Sequence, residues 1–329
     1  MLRTAVIGAG SLGSQHARIH ATLAAEGTAQ FVSVCDLNEE TARSVSNERK
    51  TDWTTNWRDL IGHIDAASVA VPTEAHCEIA CGLLDAGIHV LVEKPISRTL
   101  DEADRMIEAA ARGNAVLQVG HLERFNPAMV ALRPHVRKPV YFEIHRVGSF
   151  TARSLDIDVV LDLMIHDLDI VQWLVGEDVA VTNIHAVGIA ILTDKVDAAN
   201  ARLEFSSGAV ANITASRVGT EKIRKMRFFQ PHDYIAIDYT TKRASVSSLD
   251  RPTASGAWPG VHVKHLDIVD IEPLRAEIVS FLQSARTGAP PAVSGLEGRN
   301  ALSLALRTLD RIREHAEHPG VSELTANVR

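Results

Sequence analysis

The alternation of apolar and polar positions divides the chain into two regions of different rhythm. From residue 2 to 119, short apolar runs at 2–7, 31–35, 66–71, 89–92 and 115–119 predict strands. Between them, 11–25, 38–49, 74–86 and 100–113 repeat apolar residues at helical spacing. Continuous apolar strands separated by helices predict a parallel sheet covered on both faces. Right-handed crossovers make such a sheet doubly wound, a Rossmann-type domain expected over residues 1–121.

The rhythm changes after residue 122. Residues 139–148 ("PVYFEIHRVG") predict a strand, and 156–175 one long apolar helix. Strand-like runs follow at 181–191, 198–205, 209–216, 224–229, 234–237 and 244–247, with turn signals such as "SSG" at 206–208. Successive strands with short links predict a mostly antiparallel, open sheet. Residues 250–264 read as a loop, and helices near 273–286 and 296–316 close the chain. The expectation is a second α/β domain over 122–329, its C-terminal helix open to packing on the first.

Composition narrows the class. The chain of 329 residues is 46% hydrophobic and 23% charged, an ordinary globular balance. A formal charge of −7 without a basic block argues against nucleic-acid binding. No apolar run reaches membrane-spanning length, so no membrane partner is expected. The start "MLRTAVIGAGSLG" runs into glycines too soon for a signal peptide. Cys77 and Cys81 lie one helical turn apart, but two ligands do not make a zinc site. With Cys35 they read as reduced thiols, consistent with a cytoplasmic protein.

"AVIGAGSLG" carries Gly8, Gly10 and Gly13 as G-x-G-x-x-G between the first strand and the first helix. In that context Gly8 permits the tight turn, Gly10 lets a pyrophosphate approach, and Gly13 packs helix on strand. The amides of Ser11 and Leu12 then face the phosphates at a helix N-terminus. Asp36 ends the second strand. A carboxylate there accepts ribose hydroxyls and repels a 2′-phosphate, favouring NAD over NADP, since Leu37 and Asn38 follow rather than arginine. Capping the next helix is its other reading. Thr73 and His76, after the third strand, stand as cofactor-side residues or as helix caps. Glu93, Lys94 and Pro95 end the fourth strand. The group is either a strand terminator with a solvated ion pair or, on the cofactor side, a lysine aimed at the nicotinamide.

In "LDIDVVLDLMIHDLDIVQWLVG", Asp158, Asp162, His166 and Asp169 recur on one side of an otherwise apolar helix, within roughly 80° of arc. A structural network, a metal site and acid–base chemistry all use such residues. No second histidine lies at ligand spacing, so no metal is expected. His166 suits proton exchange near neutrality, with Asp162 one turn earlier to orient it.

Together, "GAGSLG", "EKP" (93–95), "DLMIH" (162–166), "PLRAEIVSFLQSARTG" and "SGLEGRNALSLALRTL" resemble the glucose–fructose oxidoreductase / inositol dehydrogenase / MocA (Gfo/Idh/MocA) family over nearly the whole chain. The resemblance implies a Rossmann domain followed by an α/β domain whose open sheet packs against another subunit in a homodimer or homotetramer. It implies NAD as cofactor and hydride transfer from a sugar or cyclitol carbinol. It makes Lys94, Asp162 and His166 the catalytic residues, with a cis peptide before Pro95. "VGHLERFNPA" (119–128) is similar to the UDP-N-acetylglucosamine 3-dehydrogenases, a subgroup whose 3-keto product is aminated by an aminotransferase for lipid A. That resemblance implies a nucleotide-sugar substrate; its UDP group needs positive or donor side chains, for which Arg124, Arg146, Arg153 and Lys222 are the candidates, with Asp158 and His166 near the sugar. Inositol, UDP-N-acetylglucuronate and other sugars are alternative substrates, and a non-catalytic NAD or sugar sensor is the alternative class.

Overall fold

The computed structural model describes residues 1–149, 157–176, 178–249 and 260–320. They form two compact units, Met1–Phe125 with Ile271–Leu302, and Asn126–Asp270 with the residues from Ser303 onward.

In the first unit, β1 (Arg3–Ile7), β2 (Gln30–Cys35), β3 (Asp52–Thr54), β4 (Ala66–Val69), β5 (His89–Glu93) and β6 (Leu117–Gly120) build one parallel sheet of order β3-β2-β1-β4-β5-β6. Helices α1 (Ser11–Ala25), α2 (Glu39–Arg49), α3 (His76–Asp85) and α4 (Leu100–Arg112) lie between its strands. The order reverses at β1, which lies between β2 and β4, so the sheet's switch point sits where the glycine turn leaves β1. Ala5, Val6, Ala66, Ala67 and Val69 are fully buried. Small side chains here let helices approach both faces. β3 was not expected, because three half-exposed or exposed residues carry no apolar signal.

In the second unit come α5 (Pro127–Leu132), β7 (Tyr141–Val147), α6 (Ile165–Val175), β8 (Val181–Ile189), β9 (Ala198–Phe205), β10 (Val210–Ser216), β11 (Ile223–Gln230), β12 (Asp233–Asp238), β13 (Arg243–Leu249) and β14 (Val261–His265). The eight strands order as β14-β13-β12-β11-β7-β10-β9-β8, and only β7 and β10 run parallel. Alternation divides its faces. Phe142, Ile144, Ala211, Ile213, Met226, Phe228, Ile235 and Ile237 are buried on one, while His145, Lys225, Arg227 and Phe229 are exposed on the other. β14 falls, but for its last residue, in the expected 250–264 loop. All five of its residues are exposed, so burial leaves no pattern to read, and residues 250–259 lie outside the described ones.

Two helices close the described chain, α7 (Pro273–Thr287) and α8 (Gly295–Ala316). The expected division at 121/122 followed the change of rhythm. The contacts give α7 to the first unit instead, because Leu274, Ile278, Phe281 and Leu282 complete a core with Ile19, Leu23, Ala66 and Leu91. Pro273 opens α7 at a position where a missing N–H costs nothing, and Gly288, at φ +71°, ends it.

The long helix expected over 156–175 differs from the one observed. It opens as a π-helical stretch, Val160–Met164, and becomes α-helical only from Ile165. Residue 156 lies outside the described residues. Asp158 precedes this stretch, Asp162 lies within it, and His166 and Asp169 lie on the α-helical part. π-Helical turns recur at functional sites.

Candidate active site

The glycine turn is shaped by close approach at two positions and by space at the third. Gly8 takes φ +90°, and a Cβ there would lie 2.4 Å from the Ala70 carbonyl oxygen. At Gly13 a Cβ would lie 1.8 Å from the Gly8 oxygen. Nothing stands within 4 Å of the corresponding point at Gly10. Helix α1 begins there with no side-chain cap and no carboxylate in its first turn. The amides of Ser11 and Leu12, at the first two helical positions, therefore suit a dinucleotide's pyrophosphate.

Asp36 ties this turn to the end of β2. Its Oδ2 accepts from the Ala9 amide at 2.7 Å and its Oδ1 from the Asn38 amide at 2.8 Å. A carboxylate offers about four acceptor sites, so ribose hydroxyls still find lone pairs. The cap of α2 is Asn38, which accepts from the Thr41 amide at 2.9 Å. Leu37 is 91% exposed beside Asp36 and offers nothing to a 2′-phosphate.

Neither Thr73 nor His76 caps a helix by its side chain. Thr73 opens a short turn behind Pro72, half-buried at the carboxyl end of β4. His76 is fully buried, and its place on the cofactor needs correction. Nδ1 faces the Pro95 oxygen at 3.0 Å and Nε2 the Val71 oxygen at 3.0 Å, which leaves no ring nitrogen for a ligand. The imidazole instead holds the turn after Lys94 against the end of β4. Burial lowers its pKa against the pull of those carbonyls.

Lys94 follows β5, half-buried, with a cis peptide to Pro95. Glu93 supports it from behind. Its Oε2 accepts from the Lys94 amide at 3.2 Å, and its Oε1 meets His16 Nε2 at 2.9 Å. Burial pushes the Glu93 pKa up, but the His16 bond and the charges of His16 and Lys94 outweigh it and hold it below the usual value. Glu93 is thus a fixed anion under the lysine. Its expected contact with the cofactor gives way to this inward one, because a buried carboxylate needs donors. His16 was missed. It lies three residues past Gly13, one turn into α1, and that spacing was the available signal.

In the second unit, Asp158 precedes the π-helical stretch. Its Oδ1 accepts from the Val196 amide at 2.8 Å, and its main-chain oxygen accepts from Leu161 and Asp162 at 3.0 Å each. It anchors the helix start, whereas a sugar contact was expected of it. Asp162 and His166 are half-buried, and Asp169 is buried. Asp167, beside His166, had been passed over. It forms a buried two-pronged pair with Arg146, Nε to Oδ2 at 2.7 Å and Nη2 to Oδ1 at 2.8 Å. Asp162 lines a cleft of about 440 Å³ with Arg146, Arg217, Lys222 and Arg224. Arg217 and Arg224 were also missed by sequence reasoning.

The remaining two cations divide. Arg124 is 6% exposed in the first unit, paired with Glu297 and bonded to the Ala292 oxygen at 3.4 Å. Glu297 also accepts from the Ser294 amide at 2.7 Å, at the start of α8. Arg124 is therefore a structural ion-pair partner, and its expected place on the substrate does not fit its burial. Arg153 lies outside the described residues. Among the described residues, no three His, Cys, Asp or Glu side chains gather as a metal site, and no helix is long and apolar enough to cross a membrane.

A doubly wound parallel sheet, with an open glycine turn at its switch strand and an acidic residue closing the next, defines a dinucleotide-binding protein, and a match to an oxidoreductase family makes it an oxidoreductase. A model of the oxidoreductase family with an NAD-binding Rossmann fold, GFO_IDH_MocA, matches residues 2–121, and one of the GFO/IDH/MocA C-terminal domain matches 102–229. The chain is 37% identical over 307 residues to UDP-N-acetylglucosamine 3-dehydrogenase of Acidithiobacillus ferrooxidans, covering 93% of this chain and 96% of that protein. A solved structure of that species' UDP-N-acetylglucosamine 3-dehydrogenase superposes with a TM-score of 0.89 at 36% identity, covering 96% of this chain and 99% of the other. Myo-inositol 2-dehydrogenase of Thermotoga maritima is 26% identical, covering 95% of this chain and 97% of that protein. The chain belongs to the Gfo/Idh/MocA family of NAD-binding oxidoreductases.

Proposed function

We propose that this protein oxidises the C3 hydroxyl of UDP-N-acetylglucosamine to the 3-keto sugar, with NAD as the oxidant. The observation that carries this reading is the match to the UDP-N-acetylglucosamine 3-dehydrogenase over 93% of this chain and 96% of that protein. Bound NAD⁺ supplies the hydride acceptor. Gly8, Gly10, Gly13, Ser11 and Leu12 hold its pyrophosphate, Asp36 its ribose, and Thr73 and Lys94 stand on its nicotinamide side. His166 takes the hydroxyl proton. The Lys94 ammonium stabilises the alkoxide that forms, and Asp162 orients the sugar or the lysine. A keto sugar of this kind is the substrate class of an aminotransferase, which puts the product on the way to a 3-amino sugar of lipid A. The free cysteines Cys35, Cys77 and Cys81 support a cytoplasmic setting. The exposed sheet face around His145, Arg227 and Phe229 supports a homodimer or homotetramer.

The test is a substrate panel followed by NADH absorbance, comparing UDP-N-acetylglucosamine, UDP-N-acetylglucuronate and free inositols. Turnover of an inositol without turnover of any UDP-sugar would refute the substrate. Lys94→Met and His166→Asn should each lose about 10²- to 10⁴-fold in kcat with NAD still bound. Normal turnover in both would refute the assignment of roles.

A further inference from the structure

The inward face of the eight-stranded sheet is apolar along its middle and then turns cationic at one end. Along β7, Phe142, Ile144 and Arg146 alternate inward and are all buried. In the β7–β11 register Phe142 stands opposite Phe228, Ile144 opposite Met226, and Arg146 opposite Arg224. Two guanidinium side chains thus occupy directly opposed positions where the alternation calls for an apolar pair. Like charges so placed repel. Asp167 neutralises Arg146 from within, by both of its oxygens.

The link from β10 to β11 adds to this charge. The Gly148 amide donates to the Ser216 oxygen at 2.8 Å, and the Gly219 amide to the Gly148 oxygen at 2.9 Å, which strap the link to the end of β7. Gly219 is required for that approach, since a Cβ would lie 2.1 Å from Val147 Cγ1. The strapped link carries Arg217 inward and Lys222 outward. Arg217 is 6% exposed, bonded to the Ile157 oxygen and 3.5 Å from Asp197. Lys222 is exposed, and it lines the cleft with Arg224, Ser149 and Asp162. Among the described residues, four cations therefore line the cleft with one carboxylate, Asp162.

We propose that this cleft is an anion subsite that takes the diphosphate of a nucleotide-sugar substrate, with Arg224 and Lys222 contacting phosphate oxygens and Arg146 held behind them by Asp167. The subsite rests on the nucleotide-sugar reading above and assigns that reading its specificity-determining residues. Arginine presents paired donors to phosphate, and lysine adds a mobile point charge. Asp162 reaches the same cleft from the π-helical stretch, so the helix that carries His166 borders the anion site within one unit.

The test uses the NAD-loaded enzyme and its Arg224→Met, Lys222→Met and Arg224→Lys variants. Steady-state kinetics with UDP-N-acetylglucosamine are paired with calorimetric binding of UDP, of inorganic pyrophosphate and of uridine, and melting curves check folding. UDP and pyrophosphate should bind the wild type, and uridine far more weakly. Each methionine variant should raise KM and the UDP dissociation constant together by about 10- to 100-fold, with the loss in KM rather than kcat. Arg224→Lys should recover part of it. Unchanged KM and unchanged UDP binding in both methionine variants, with the wild type still oxidising the UDP-sugar, would overturn the subsite and leave the function standing. Loss of pyrophosphate and UDP binding in the variants of a wild type that oxidises no UDP-sugar would support the subsite and overturn the function. A wild type that binds neither anion would overturn the subsite.

Discussion

Glu277 on α7 offers a direct measure of how the first unit tolerates a buried acid. Its side chain is fully buried, and neither carboxyl oxygen has a hydrogen-bond partner among the described residues. The Gln118 amide reaches only its main-chain oxygen, at 3.3 Å. Burial, and after it the negative charge of Glu93, push the Glu277 pKa well above the carboxylate range. The unfolded chain releases this proton near the ordinary glutamate value of about 4.3. Above that pH the folded protein holds a proton that the unfolded chain has given up. Stability on this account is therefore full below about pH 4.3 and declines as pH rises toward the folded pKa, by up to about 1.4 kcal/mol per pH unit. Glu277→Gln keeps the shape and removes the titration. Urea unfolding of both proteins, followed by tryptophan fluorescence, reads this group together with its interaction with Glu93, because titrations elsewhere cancel in the difference. Between pH 5 and pH 6 the variant should gain about 1 kcal/mol on the wild type. A difference that stays constant with pH, or a wild type that gains on the variant as pH rises, would show Glu277 ionised in the fold and refute the reasoning.

The remaining predictions concern both units. Asp197 is buried, yet the amides of Ile191, Thr193 and Leu192 outweigh burial and hold its pKa down to about 2. It contributes about 2 kcal/mol that is present above the ordinary aspartate value and lost as pH falls through about 2. Asp197→Asn should lower unfolding free energy by that amount at pH 7, with the deficit closing in acid; a pH-independent deficit would contradict this. Gly10→Val should keep the melting temperature and weaken NAD binding by about tenfold or more in calorimetry, since its side chain enters open space that the pyrophosphate needs. Gly13→Ala should instead lower the melting temperature, and equal effects of the two would undo that distinction. Asp167→Ala leaves the Arg146 guanidinium buried without its counterion and should cost about 3–5 kcal/mol in denaturant unfolding, whereas Arg146→Met with Asp167→Leu should recover most of it. A single variant as stable as the wild type would mean that solvent reaches Arg146.

What was legible in the chain was local. Gly8, Gly10 and Gly13 sit within one turn of a strand and a helix, and Asp36 and Lys94 each end a strand, so their places follow from short-range spacing. The six-stranded and eight-stranded sheets followed from periodicity for the same reason, apart from β3 and β14, whose exposed residues carry none. The illegible parts depend on pairings between distant segments. His76 reads as a ligand until the carbonyls of Val71 and Pro95 close on both its nitrogens. Asp158 reads as part of a helical stripe until the Val196 amide, from a different part of the unit, takes its oxygen and the π-helical stretch begins after it. Arg224 could have been seen. It precedes Met226 and Phe228 at a spacing of two on the face that they bury, so strand periodicity alone marks it as a charge on the covered side. That it faces a second arginine is a matter of register, which nothing in residues 223–230 specifies by themselves. Arg124, picked out by its motif, went into a structural pair, whereas Arg146 and Arg224 form the charged end of the sheet.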